Sequence, residues 1–319
     1  MSKYISTRKG FGDGLINLAK EDKNIFALSA DTYRSYNMGA FVEEFPNRFI
    51  ECGIAEQNSV LMAAGLATTG KTVFVAAYGV FLSMRALEQL RTFVAYPNLN
   101  VKFAAGLGGL FGDRSGASHQ ATEDISIIRS IPNLTLLSAA DSVAAEKFVK
   151  LMAQKKGPVY LRIGRGKSPV IYNESDEFEI GKAVRLLDYG NDIAIVSTGR
   201  CLAEAITAIE QLNQDGIRGK VIDMHTIKPI DRECLIQVAQ ETGIIFTVED
   251  GSINGGLGSA VAEIIVEEGL THKGKPVVVK KLGLDDSFAC SGTLEELFDL
   301  YDLSSSSIKK RVKKYLQTK

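Results

Sequence analysis

The residue best placed to do chemistry is Glu56, in the stretch ECGIAEQNSVLMAAGLATTG at 51–70. An apolar run ends just before it at Gly53, and the small residues beyond it predict a helix. An acid at a helix start complements the macrodipole, and spacing alone supports no more than that. The following residues, Val60, Leu61, Met62, Ala63, Ala64 and Gly65, are apolar or small, so the helix is expected to be buried. A carboxylate at a buried helix start can hold or donate a proton. A second candidate is GLGGLFGDRSGASH, Gly106 to His119, which follows an apolar run at 101–105. Open α/β sheets bind ligands at the carboxyl ends of their strands. The glycine spacing fits neither a P-loop nor a G-x-G-x-x-G fingerprint, so a surface loop reads equally well. His119 is one of three histidines, and a lone loop histidine is more often structural than catalytic. EDGSINGGLGSAVAEI at 249–264 reads as a strand end, a glycine loop and a helix; glycines that permit tight turns account for it. MHTIKPID at 224–231 reads as a polar connection after a strand.

These residues need elements to hold them. Apolar runs at 24–31, 48–53, 72–78, 101–105, 134–138 and 159–163 alternate with helical stretches at 7–20, 55–69, 82–95, 122–129 and 143–155. Strands apolar on both faces predict a parallel sheet covered by helices on both sides. NESDE at 173–177 is the clearest polar break, and a second α/β run follows at 192–198, 220–224, 243–249 and 276–283. Leu202, Ile206, Ile209 and Leu212 form one helical stripe there. The expectation is two doubly wound α/β domains, 1–175 and 176–319. The 319 residues, 45% hydrophobic and 24% charged, suffice for two cores. A net charge of −1 gives no reason to expect nucleic acid or an anionic membrane. Cys52, Cys201, Cys234 and Cys290 make no C-x-x-C pair and read as buried free thiols in a reducing compartment. Residues 1–10 have no apolar signal core, and no run approaches the ~20 apolar residues that span a bilayer. A soluble, cytoplasmic chain is expected. Basic residues 309–314 alternating with Ile308, Val312, Tyr315 and Leu316 predict a terminal amphipathic helix.

Taken together, GIAEQ with Glu56, YGVFL with Phe81, GASHQ with His119, then EDISIIRSIPN, TIKPID and VEDGSINGGLGSA resemble the transketolase family, in order and along the whole chain. The similarity is to the second half of full-length transketolases, the pyrimidine-binding and C-terminal domains. The first half, which holds the diphosphate and metal, has no counterpart, so the chain looks like the C-terminal subunit of a split transketolase. The resemblance implies thiamine diphosphate, Mg²⁺ (or Ca²⁺) held by an N-terminal partner subunit, and an α₂β₂ assembly. It implies transfer of a two-carbon ketol unit from a ketose phosphate to an aldose phosphate. By position, Glu56 matches the glutamate that hydrogen-bonds N1′ of the aminopyrimidine. Phe81 matches the aromatic that packs on that ring, with Met84 and Leu87 at neighbouring pocket positions. His119 matches a histidine that binds substrate hydroxyls near the reacting carbons. Arg8, Ser35 and Arg165 match substrate-phosphate contacts, where guanidinium groups make charge-assisted bonds. None of these residues is implied to be a metal ligand.

There are departures. The aspartate one glycine before GASHQ-type motifs, which reads an acceptor hydroxyl, is Ser115 here, and Asp113 lies two residues earlier. A phosphate-pocket histidine of the family falls at or near Gly106, and the loop is one residue longer. Gly12-Asp13-Gly14 matches the start of the metal motif of thiamine-diphosphate enzymes but sits inside a helical pattern, where a metal loop should follow a strand. Two other thiamine enzymes share the architecture: half of a deoxyxylulose-phosphate-synthase-like enzyme, and the beta subunit of a 2-oxo-acid dehydrogenase. A non-catalytic scaffold that kept the fold is the third reading, and the presence of Glu56, Phe81 and His119 argues against it.

Overall fold

Strands that are apolar on both faces demand helices on both sides, and the chain meets that demand twice. The computed structural model describes residues 3–318. Its larger sheet has seven strands in the order Thr226–Lys228, Thr135–Ser138, Val159–Arg162, Val101–Gly106, Thr72–Tyr78, Ile25–Ser29 and Phe49–Glu51. Every neighbouring pair is parallel except the edge pair made by Thr226–Lys228. The second sheet has five strands, ordered Val278–Leu284, Ile244–Ser252, Ile193–Ser197, Gly219–Asp223 and Val184–Asp188, and only the last pair is antiparallel. The two doubly wound α/β units expected from the alternation are therefore present. The inner strands Thr72–Tyr78 and Val101–Gly106 are buried almost throughout.

On one side of the larger sheet the helix Thr7–Glu21 packs against the helix Ser142–Gln154. The approach is close enough to dictate glycine. A Cβ on Gly10 would lie 2.0 Å from the Ser142 carbonyl oxygen, and one on Gly14 would lie 2.7 Å from that of Glu146. The basic C-terminal segment forms the expected amphipathic helix, Ser305–Gln317, burying Ile308 and Val312 against the helix Cys201–Gln214.

The two sheets are tied by charge as well as apolar surface. Arg162, at the end of a strand of the larger sheet, is 3% exposed. Its Nε donates to both Asp124 carboxylate oxygens, at 3.0 and 2.9 Å, and its Nη1 donates to Asp250 of the smaller sheet at 2.6 Å. Burial opposes the Arg162 charge, but Asp124 and Asp250 more than restore it and raise its pKa. Burial also pushes Asp124 up to about 6 against the pull of Arg162. Next to this cluster, burial pushes Glu249 up to about 7, while the Leu257 and Gly258 amides that donate to its carboxylate pull the other way. The VEDG sequence, at the end of the strand Ile244–Ser252, thus supplies an inter-sheet ion pair and a helix anchor.

Several expectations need correction. Residues 224–231 are more than a connection, because Thr226–Lys228 crosses over and completes the edge of the other sheet. The helix at 82–95 is a π-helical turn at Phe81–Arg85, a short α segment at Leu87–Gln89 and a second π-helical stretch at Leu90–Ala95. Only one face of the Glu56 helix is buried, since Gln57, Asn58 and Leu61 are exposed. Cys201 and Cys234 are buried, but Cys52 is only partly so and Cys290 is exposed. Residues 173–177 carry no strand or helix. Among the described residues no helix is long and apolar enough to cross a membrane.

Candidate functional site

Parallel strands leave their carboxyl ends along one edge of the sheet, and ligands of open α/β folds bind there. Five of the candidate positions follow such ends: Ser35 after Ile25–Ser29, Glu56 after Phe49–Glu51, Phe81 after Thr72–Tyr78, His119 after Val101–Gly106, and Arg165 after Val159–Arg162. Within this arc the side chains sort into two groups.

The first group centres on Glu56. It opens the helix Glu56–Ala67 and is 3% exposed. Its Oε2 accepts a hydrogen bond from Arg85 Nη1 at 2.7 Å. The Arg85 guanidinium lies over the Phe81 ring, with Cζ 4.1 Å from the centroid. Phe81 meets His119 edge to face at 5.5 Å between centroids, and Tyr78 meets the same imidazole at 5.9 Å. His119 Nδ1 is 3.0 Å from the Ser118 hydroxyl. A buried carboxylate, an aromatic face and an imidazole therefore stand in one contiguous patch. Tyr78 opens the YGVFL motif but has no role implied there, and Arg85 lies outside the motifs. The arginine had no motif to flag it, and only its proximity to Glu56 in space gives it meaning.

The second group is cationic. The Arg8 Nη2 donates to the Arg165 carbonyl at 3.1 Å. The Arg165 Nη1 stands 3.9 Å from Asp113 Oδ1. Burial pulls the Arg8 pKa below its ordinary value; Tyr36 opposes this, and the like charge of Arg165 adds to it. Two guanidinium groups with one carboxylate near them leave net positive charge for an anion to neutralise. Tyr36 is fully buried, accepts the Gly106 amide at 2.7 Å and donates to the Ala77 carbonyl at 2.5 Å. A Cβ on Gly106 would lie 2.2 Å from that hydroxyl, so no side chain fits there. Tyr36 and Tyr78, both electrostatic neighbours of Arg8, link the two groups.

The glycine loop from Gly106 to His119 is half buried and half exposed. Leu107, Leu110 and Phe111 pack inward, whereas Arg114, Ser115 and Ser118 are exposed. Asp113 adopts φ 34°, ψ −114°, a region that L side chains rarely occupy, and its carboxylate faces Arg165. Ser115 is not drawn into either group. Ser35 is exposed in the turn just before Tyr36, and Met84 is 44% exposed beside Arg85. Leu87 is half-buried.

The buried Glu56 carboxylate near the half-exposed Phe81 ring suits a flat heteroaromatic with a ring nitrogen able to share a proton. The chain offers less for a metal diphosphate. Asp13 lies inside the helix Thr7–Glu21, is ion-paired with Lys9 and accepts from Asn37 Nδ2 at 3.2 Å. Gly12 is explained by the Asn37 carbonyl oxygen, 2.4 Å from where a Cβ would stand, and Gly14 by packing on the helix Ser142–Gln154. Among the described residues no group of three or more His, Cys, Asp and Glu could hold a metal ion.

The chain matches known proteins along nearly its whole length. Residues 3–170 match the family described as "Transketolase, pyrimidine binding domain", and residues 181–308 match "Transketolase, C-terminal domain". A protein of Methanocaldococcus jannaschii described as a transketolase C-terminal section is 44% identical, over 97% of this chain and 96% of that protein. A subunit of the apulose-4-phosphate transketolase of Phocaeicola vulgatus is 39% identical over 99% of both chains. A solved structure titled split gene transketolase, inactive beta4 tetramer, superposes with a TM-score of 0.87 at 39% identity, covering 99% of both chains. This chain belongs to the transketolase family.

Proposed function

We propose that this chain is the C-terminal subunit of a split, thiamine-diphosphate-dependent transketolase, with a pyrimidine-binding unit at 1–175 and a C-terminal unit at 176–319. The observation that carries the reading is the buried Glu56 carboxylate beside the Phe81 ring and His119. Thiamine diphosphate supplies a carbanion-stabilising centre that protein side chains lack. Glu56 holds the proton shared with N1′ of the aminopyrimidine, and Phe81 and Met84 offer apolar surface to its ring. His119 hydrogen-bonds substrate hydroxyls near the reacting carbons. Arg8 and Arg165, with Ser35, bind the phosphate of the sugar. The relatives named as a C-terminal section and as one subunit of a transketolase support an N-terminal partner, which would carry the diphosphate and Mg²⁺ (or Ca²⁺). Ile54, Leu61 and Met84, exposed and apolar beside Glu56, are surface of the kind that protein interfaces cover. An α₂β₂ assembly in the cytoplasm fits this division of labour.

The test is a donor panel on the complex reconstituted with its partner subunit. Ketol transfer between a ketose phosphate and an aldose phosphate is the expected activity. Turnover of pyruvate instead would move the chain to a deoxyxylulose-phosphate-synthase-like enzyme, and turnover of other 2-oxo acids to a dehydrogenase beta subunit. The relative named for apulose 4-phosphate makes that sugar phosphate a member of the panel.

Arg165→Ala removes a charge-assisted contact to a remote group of the substrate, worth ~1.5–3 kcal/mol. A loss of about ten- to a hundredfold in kcat/KM is expected for phosphorylated substrates, and a much smaller one for unphosphorylated analogues. Equal losses for both would mark Arg165 as a structural residue. Acceptor recognition falls to Asp113, because its carboxylate faces Arg165 while Ser115 is exposed. Asp113→Ala is expected to erase any preference for acceptors bearing a C2 hydroxyl, measured as the ratio of kcat/KM with and without it. If the ratio is unchanged, the neutral Ser115 position governs, and with it tolerance for branched acceptors.

A further inference from the structure

Arg85 touches both groups that the proposed function reserves for the aminopyrimidine. Residues Phe81–Arg85 form a π-helical turn, closed by the Ala86 amide donating to the Phe81 carbonyl at 2.9 Å. Such widened turns recur at functional sites because they re-aim the side chains they carry. Here the turn folds Arg85 back over Phe81, 4.1 Å from the ring centroid, while Nη1 donates to Glu56 at 2.7 Å. A guanidinium is flat, cationic, rich in N–H donors and stacks well on aromatic faces. It thus gives the carboxylate an N–H and the phenyl ring a planar partner, the same two contacts a protonated aminopyrimidine would offer.

Two planar groups cannot both occupy the space between Glu56 and one face of Phe81. The exposures indicate which group is free to leave. The Glu56 side chain is 4% exposed, whereas Arg85 is 45% exposed and reaches in from solvent on a flexible stem. We infer that Arg85 is an internal competitor for the aminopyrimidine subsite. It pairs the buried carboxylate while the cofactor is absent and is displaced as the ring enters. The inference rests on the proposed function and adds to it a control on cofactor loading within this chain.

The test uses the complex with its partner subunit, titrated calorimetrically with thiamine diphosphate in excess Mg²⁺. The circular dichroism of the bound aminopyrimidine is recorded alongside. Displacing a partly exposed ion pair and a cation–π contact opposes binding, so Arg85→Ala is expected to tighten cofactor binding about tenfold. Arg85→Lys, which keeps the charge but not the planar stack, should tighten it by about threefold, and it carries the test if the alanine variant fails to assemble. Unchanged or weaker binding in the variant that assembles overturns the inference, and weaker binding would make Arg85 a cofactor contact instead. The underlying function fails differently: the unmodified complex would not bind the cofactor, or Glu56→Gln would leave the dichroism of the bound aminopyrimidine unaltered.

Discussion

Glu56→Gln is expected to lower turnover of the reconstituted complex by at least ~10²-fold, the scale of positioned acid–base catalysis. Glutamine has the same length and can still accept from Arg85, so the start of the helix Glu56–Ala67 and its packing should survive. It cannot carry a negative charge, and so cannot hold a proton between itself and a ring nitrogen in the same way. The loss should fall mainly on kcat, because the interaction matters most as charge is redistributed during the reaction. Thermal unfolding and subunit assembly, measured alongside, should stay near those of the unmodified protein. A variant that turns over at the unmodified rate would remove Glu56 from the chemistry and leave it as a helix-start carboxylate paired with Arg85.

The difference between Glu56 and its surroundings shows what a linear sequence discloses. The main strands were legible because parallel strands buried on both faces must be apolar at consecutive positions. Thr72–Tyr78 is read to the residue, and most others shift by only one to three residues at either end. The terminal helix was legible because its apolar positions fall on one face. Thr226–Lys228 was not, because a three-residue edge strand in a segment containing Lys228 and Pro229 has no apolar run to announce it. Val184–Asp188 is hidden for a like reason, as an antiparallel edge strand with a mixed burial pattern. The π-helical turn at Phe81–Arg85 has the same composition as an α-helix, so periodicity could not reveal it.

The site divides along the same line. Glu56, Phe81 and His119 could be singled out through motifs, and they adjoin one another in space. Arg8 and Arg165 also meet, at opposite ends of the same unit, through a side chain-to-carbonyl bond spanning 157 positions. The partners that complete these groups were hidden because each depends on a long-range contact. Arg85 reaches Glu56 across 29 positions, Tyr36 reaches Gly106 across 70, and Arg162 reaches Asp250 across 88. The Tyr36 contact also accounts for a departure from the family pattern: its hydroxyl fills the place where a side chain at 106 would stand.

Withdrawing the partner subunit is expected to abolish ketol transfer. The chain brings a carboxylate, an aromatic face and an imidazole to one edge of its larger sheet, enough for the reacting and ring-binding end of the cofactor. The diphosphate end needs a divalent cation held by oxygen ligands in a fixed geometry. The one segment that matches a metal motif, Gly12-Asp13-Gly14, lies within a helix, with its carboxylate engaged by Lys9 and Asn37. On the proposed division of the site, the partner supplies the groups that neutralise the diphosphate, so micromolar cofactor should not saturate the chain alone. Calorimetric titration of the purified chain with thiamine diphosphate and Mg²⁺ is expected to show no tight binding, and coupled assays no turnover. Adding the partner should restore both together, with activity rising to a plateau as the subunits reach equal amounts. A plateau at another ratio would argue against sites built from one copy of each subunit. Ketol transfer by the chain alone, at a rate comparable to the complex, would mean that it holds the whole cofactor, and the split assignment would fall.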